Sequence, residues 1–318
     1  MSSISSNLDN TQRFLTAALI VFLSIGIIGH ALNCIVFLRK KLSASLCSTF
    51  FVATSVTSTL FLIYDIVLLV NSLHDHALEN ANLVFCKLCL YLRHVLLGTS
   101  RTYLIIACIS CYIYSSRHTR IRNLFRQKMT LRIIALVPIV WMIIPVYIPI
   151  FSSIHHDQCR MQSTVVTLYH SFYVCFIFAI LPFPLMIAFS VLIYQNLRKR
   201  HRIVRPIVRK SNPKQKGDQN KNLHGFHRCD RQLSTMLLIQ IIVYISLTIL
   251  HPIHLVYNTL SSITEEVKSN DRIAMEKFLT FMTSDFLIDL SNAVPFLVFL
   301  ISHTFRKELC KVIVAYLC

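Results

Sequence analysis

The chain has 318 residues, of which 54% are hydrophobic and only 14% charged, and its formal net charge is +18. Soluble globular chains carry about 25% charged residues, so this balance excludes an ordinary water-soluble fold. The basic residues lie between long apolar runs instead of on a soluble module, which argues against a nucleic-acid-binding protein.

Met1 to Arg13 reads as a short polar tail. The apolar run that follows, residues 14–38, is too long for a cleaved signal peptide and lacks its basic start and small-residue cleavage site. It reads as a permanent span. Further spans are expected over residues 48–70, 85–114, 131–150, 172–197, 233–257 and 278–301, each able to cross a hydrocarbon core of roughly 30 Å. The final stretch, Phe305 to Cys318, is amphipathic and too short to span. The expected fold is therefore an all-α membrane protein, a seven-transmembrane helix bundle with a short amphipathic eighth helix. Its parts are a tail at 1–13, the seven-helix domain at 14–302 and an amphipathic tail at 303–318.

Basic residues in short loops stay on the cytoplasmic side of a membrane. Arg39, Lys40 and Lys41 follow the first span, and Arg117, Arg120, Arg122, Arg126, Lys128 and Arg132 lie between the third and fourth. Twelve more fall in the segment 198–231, and the C-terminal stretch adds Arg306, Lys307 and Lys311. These four segments hold 24 of the 32 basic residues, so the N-terminus is expected outside and, with seven spans, the C-terminus in the cytoplasm. Pro206, Pro213, Gly217 and Gly225 mark the segment 198–231 as a linker without its own core. Its charges suit anionic lipid headgroups or an acidic cytosolic partner.

Ionisable residues inside a membrane are costly and mark functional sites by default. Arg93 and Arg101 fall within the third span, Asp65 within the second and Asp285 and Asp289 within the seventh. At 100° per residue, Cys86, Arg93 and Cys111 share one helix face, with Leu97, Ser100 and Leu104 close to it. Asp285, Asp289 and Asn292 form an i, i+4, i+7 stripe. Two arrangements stay open: internal ion pairs, with Asp65 or Asp285 opposite Arg93, or a pocket in which Arg93 meets an anionic ligand group. His251 and His254 flank Pro252 without a third metal ligand at suitable spacing. No Ser/His/Asp set, paired catalytic carboxylates or Gly-rich phosphate loop stands out, so neither an enzyme nor a cofactor or metal is expected.

Several local patterns are similar to those of rhodopsin-like G-protein-coupled receptors. Gly29-His30-Ala31-Leu32-Asn33 precedes Phe37-Leu38-Arg39, and Phe85-Cys86-Lys87-Leu88 opens the third span. Cys159 follows the fourth span, which carries Trp141; the fifth has Pro182 and Pro184. Asp230-Arg231-Gln232-Leu233 leads into the sixth, which holds Pro252, and Pro295 in the seventh precedes Phe305-Arg306-Lys307-Glu308-Leu309. Details in the first, second and sixth spans resemble invertebrate FMRFamide-like neuropeptide receptors. The chain also departs from the family pattern. Ser110-Cys111-Tyr112 replaces the Asp-Arg-Tyr triplet, Ser58 stands where the family has a sodium-binding Asp, and His30 stands for an Asn. Leu250 occupies the aromatic toggle position, and Val294-Pro295-Phe296-Leu297-Val298 replaces Asn-Pro-x-x-Tyr.

The resemblance implies a plasma-membrane receptor for an extracellular ligand, a peptide rather than a simple monoamine, signalling to a heterotrimeric G protein in contact with membrane lipids. It implies a Cys86–Cys159 disulfide at the outer, oxidising side, with Cys89 a rival partner and two separate thiols the alternative. The ligand pocket is expected to include Arg93, Asp65, Leu97, Leu250, His254 and Asp285. The switch positions are Ser58, Ser110, Cys111, Tyr112, Pro252, Asp289, Asn292 and Pro295. Cys310 and Cys318 are candidates for palmitoylation. Two other functions compete: a seven-helix binding or scaffolding protein that has lost G-protein coupling, which the replaced triplet favours, and a small transporter, against which stands the lack of a visible inverted repeat.

Overall fold

In a computed structural model of the chain, residues 3–39, 46–73, 82–115, 127–155, 158–210, 234–263 and 269–317 are described. Seven helices are long and apolar enough to cross a membrane: Ser6–Phe37, Cys47–Leu73, Leu83–Ile113, Lys128–Phe151, Thr164–Asn196, Ser234–Ser261 and Asn270–Leu300, numbered here as spans 1 to 7. Their outward faces are apolar, with Phe14, Ile28, Ile63, Val165, Ile253 and Leu297 all exposed. Such a surface belongs in lipid, where helices satisfy their own backbone groups.

Six of the seven spans begin earlier than the apolar pattern indicates; span 6 is described from Ser234. The first helix runs from Ser3 to Phe37, so the polar tail expected at 1–13 is largely its opening turns. Neither glycine nor proline interrupts the sequence before Gly26, and Arg13 pairs with Asp9 one turn away at 3.5 Å. Span 5 likewise starts at Thr164, where the Ser163 hydroxyl accepts the Val166 N–H as an N-cap. Between spans 4 and 5 lies an element the all-α expectation lacked: an antiparallel hairpin of β1, Ser152–His155, and β2, Gln158–Met161. Ile154 pairs with Cys159, and a Cys86–Cys159 disulfide fastens β2 to the start of span 3. This end of the bundle is called the hairpin end below, and the other the basic end.

Prolines shape three of the spans. A proline has no N–H, so the carbonyl four residues earlier loses its helical donor, and in lipid another side chain must supply one. Pro138 interrupts the helix Gln127–Ile143, and the Tyr103 hydroxyl of span 3 donates to the stranded Ile134 carbonyl at 2.6 Å. In span 5 a π-turn, Phe176–Ile180, precedes Pro182. Here the Tyr244 hydroxyl of span 6 donates to the Phe178 carbonyl at 3.4 Å. Span 7 contains a second π-turn, Phe281–Phe286, and a break between Leu287–Ala293 and Pro295–Leu300. Beside that break, His30 Nε2 lies 2.7 Å from the Asn292 carbonyl.

Packing is tightest toward the basic end. Phe37 stacks on Phe51 with ring centroids 5.3 Å apart and meets Phe299 edge-on at 5.3 Å. The helix His303–Leu317 follows span 7 and buries Phe305, Leu309 and Val312 in the same cluster. Its buried Glu308 lies 3.5 Å from Arg39 and 3.2 Å from Lys311, which ties this helix to the end of span 1. Spans 3 and 4 touch where Gly98 faces Trp141; a side chain at residue 98 would run into the indole. The indole N–H donates to Thr102 Oγ1 at 2.8 Å.

Candidate functional site

Four of the five intramembrane charges meet in one network toward the hairpin end. Arg93 follows Cys86 by two helical turns. Its Nη1 donates to Asp285 Oδ1 at 2.6 Å, and its Nη2 to the Ser284 carbonyl at 2.9 Å and Asp289 Oδ1 at 3.4 Å. The Asp65 carboxyl sits against that of Asp289. Two carboxyl groups therefore contact the guanidinium, and Asp65 acts on it through space. Of the two arrangements left open for Arg93, the internal ion pair is the one present, and Asp285 is its nearest acid. The pair is not sealed: the side chains of Arg93 and Asp285 are 24% and 31% exposed, whereas Asp289 is 1% exposed.

Aromatic and imidazole rings gather above this network. The His94 and His170 rings lie 5.0 Å apart, and His94 also meets Phe178 at 6.0 Å. His170 Nδ1 is hydrogen-bonded to the Tyr147 hydroxyl at 2.8 Å. His251 Nδ1 is 3.2 Å from Ser284 Oγ, one residue from the acid that holds Arg93.

Below the network the bundle encloses a small polar cavity where spans 2, 3, 6 and 7 meet. Ser58, Ser100, Arg101, Gln240, Tyr244 and Ser291 line it. Ser58 and Ser100 share a hydrogen bond of 2.9 Å, and Asn292 and Pro295 form part of the wall. Closer to the basic end, Ser110 donates to the Ile106 carbonyl of its own helix at 2.8 Å. Cys111 is buried with its sulfur 2.6 Å from that of Cys47, and the Tyr112 ring packs near Phe189 at 5.8 Å.

The structure separates several residues that the sequence grouped. Leu250, expected in the pocket, is half exposed on the lipid-facing surface, and its neighbour His251 is the one turned toward Ser284. Leu250 stood in the pocket on the resemblance alone, as the toggle position; it lies one residue, about 100° around the helix, from His251. His254 sits apart from the network, bonded to Thr280 at 3.1 Å and Asn258 at 3.0 Å. Leu97 packs in the apolar cluster beneath Arg93, and the Pro252 carbonyl accepts from the Cys175 thiol at 3.8 Å. Cys310 is exposed. Cys318, Lys40, Lys41, Arg117, Arg120, Arg122, Arg126 and residues 211–231 lie outside the described residues. His251, His94, His170, Gln240 and Tyr244 were not picked out as pocket or cavity residues from the sequence. For His251 the signal was present, as the residue next to Pro252.

Among the described residues no group of three or more His, Cys, Asp or Glu is placed to hold a metal ion. No protein-family model matches the chain, and no curated protein matches it. The fold alone defines its class, a seven-helix, multi-pass membrane protein with a charged network in its interior.

Proposed function

We propose that the chain is a cell-surface receptor of the rhodopsin-like class, oriented with its N-terminus outside, that binds an extracellular peptide at the hairpin end and signals to a heterotrimeric G protein at the basic end. The observation that carries this reading is the acidic network around Arg93, partly open beneath a hairpin that a disulfide holds over the bundle. With three carboxyl groups near one guanidinium, the network stays net negative even when the adjoining Asp65 and Asp289 carboxyls share a proton, and it attracts a basic ligand group, such as a peptide amino terminus or an Arg or Lys side chain. Asp285 is the acid best placed to meet it. The surrounding His and Tyr side chains offer ring faces for an adjacent aromatic residue. Ligand binding and G-protein coupling make this a non-enzymatic function.

A second reading, a binding or scaffolding protein without coupling, is favoured by one specific feature. In the resembled receptors the triplet Arg carries a permanent charge, held at rest by its acidic neighbour. Among the described residues Ser110 bonds only to its own helix and Cys111 only to another thiol, and neither side chain carries a permanent charge, so neither can do this work. Both readings are tested by applying a library of basic and neutral peptides to cells that carry the native chain or its Ser110→Asp, Cys111→Arg double variant at matched surface levels. A saturable second-messenger response to basic peptides is expected, weaker in the native chain than in the double variant, and lost in Asp285→Asn. Peptide binding without a second-messenger response in either chain would establish the scaffold reading. Peptide-independent charge movement would overturn both.

A further inference from the structure

Arg101 has no place in the ligand-binding site just described. It lies two turns deeper than Arg93 on span 3 and is 7% exposed. One of its nitrogens donates to Ser291 Oγ at 2.9 Å, and its guanidinium carbon sits 3.9 Å from the centre of the Tyr244 ring. Neither contact supplies negative charge. Among the described residues no carboxylate oxygen lies within 4.0 Å of the guanidinium. Asp289 acts on it through space but is already in contact with Arg93 at 3.4 Å. A buried cation without a close counter-ion is expensive in a low-dielectric interior.

The cavity beside Arg101 is built to supply that counter-ion. Its volume of about 10 Å³ is that of one water-sized species, so a halide, which is somewhat larger, enters with small outward shifts of the side chains that line the cavity. Ser58 and Ser100 bond to each other; whichever donates, the hydroxyl hydrogen of the other remains available to the cavity. Gln240 is 6% exposed and its Oε1 has no partner among the described residues; with the amide flipped, its N–H end faces the cavity. Ser291 and Thr54 have given their hydrogens to the carbonyls of Ile288 and Phe50, and Asn292 gives an amide hydrogen to Ile288. The donors left to the interior are thus the guanidinium, one serine hydroxyl, the Gln240 amide and the second amide hydrogen of Asn292. A metal cation would be repelled by this set, and a carboxylate-bearing molecule would not fit the space.

We propose that the cavity binds a single halide, chloride under physiological conditions, coordinated by Arg101 with Ser58 or Ser100 and Gln240. The ion neutralises Arg101 and links spans 2, 3 and 6 at their common centre. The inference does not depend on the receptor function, because it concerns only the interior of the bundle.

The test uses the full chain in lipid nanodiscs, moved from sodium gluconate into sodium chloride or bromide at constant ionic strength. Chloride and bromide are expected to raise the melting temperature saturably, and radiolabelled chloride to bind at one ion per chain. Arg101→Gln is expected to raise the half-saturating chloride concentration by at least about tenfold, the loss of a hydrogen bond to a charged group. If that variant does not fold, the Ser58→Ala, Ser100→Ala double variant gives the second readout, with chloride binding weakened several-fold. Equal melting in chloride and gluconate, absence of stoichiometric chloride binding, or a chloride effect unchanged by both substitutions would overturn the assignment.

Discussion

Arg93 bonds to two acids and a carbonyl from one neighbouring helix, so its removal is a question of stranded charge. Arg93→Ala leaves Asp289 buried without its cation. Breaking a buried pair in this way costs roughly 3–5 kcal/mol, reduced here because water reaches the partly exposed Arg93–Asp285 contact. Lower surface expression and a lower melting temperature are therefore expected for Arg93→Ala, with substantial recovery in the exchanged pair Arg93→Asp, Asp285→Arg. No recovery in the exchanged pair, measured by surface labelling and thermal melting, would mean that Asp289 and not Asp285 fixes the position of Arg93. The face of span 3 that carries Cys86, Arg93, Ser100 and Cys111 was legible in the sequence because that helix is unbroken. Leu250 was placed by the resemblance and not by helical phase, and its side chain lies on the outer face, one residue from His251.

At the scale of the helices, proline and tyrosine act as pairs across neighbouring spans. Tyr103 supplies to Ile134 the hydrogen bond that Pro138 cannot, and Tyr244 does the same for Phe178 opposite Pro182. Tyr103→Phe is expected to destabilise the bundle by about 1–3 kcal/mol, the cost of an unsatisfied buried carbonyl. Adding Pro138→Ala restores the backbone donor to Ile134, so the double variant should melt above the single one. Equal melting of the two would show that the Tyr103 bond compensates nothing. The sequence announces each proline, but its partner lies on another helix and has no fixed spacing from it. The π-turns were hidden for a similar reason. Each adds about one residue to a turn, which rotates the residues before it by roughly 100° against an ideal helix. The stripe formed by Asp285, Asp289 and Asn292 begins inside such a turn.

For the molecule as a whole, the number of spans and their order followed from apolar length alone, because lipid leaves a chain few other choices. The hairpin between spans 4 and 5 did not, since its strands are four residues each and carry little periodic signal. Orientation rests on the basic segments. A tag ahead of Met1 is expected to be accessible on intact cells, and one after Cys318 only after permeabilisation; the reverse pattern would overturn the proposed direction of signalling. The contact between Gly98 and Trp141 also has an optical consequence. Trp141 is the single tryptophan of the chain, buried between the Gly98 backbone, Thr102 and the Phe178 ring. Emission excited in its red absorption edge therefore comes from one seam, that between spans 3 and 4. A ligand that shifts the emission to the red has let water into that seam, whereas one that leaves it unchanged has acted elsewhere, so the native chain carries its own built-in probe of where a conformational change takes place.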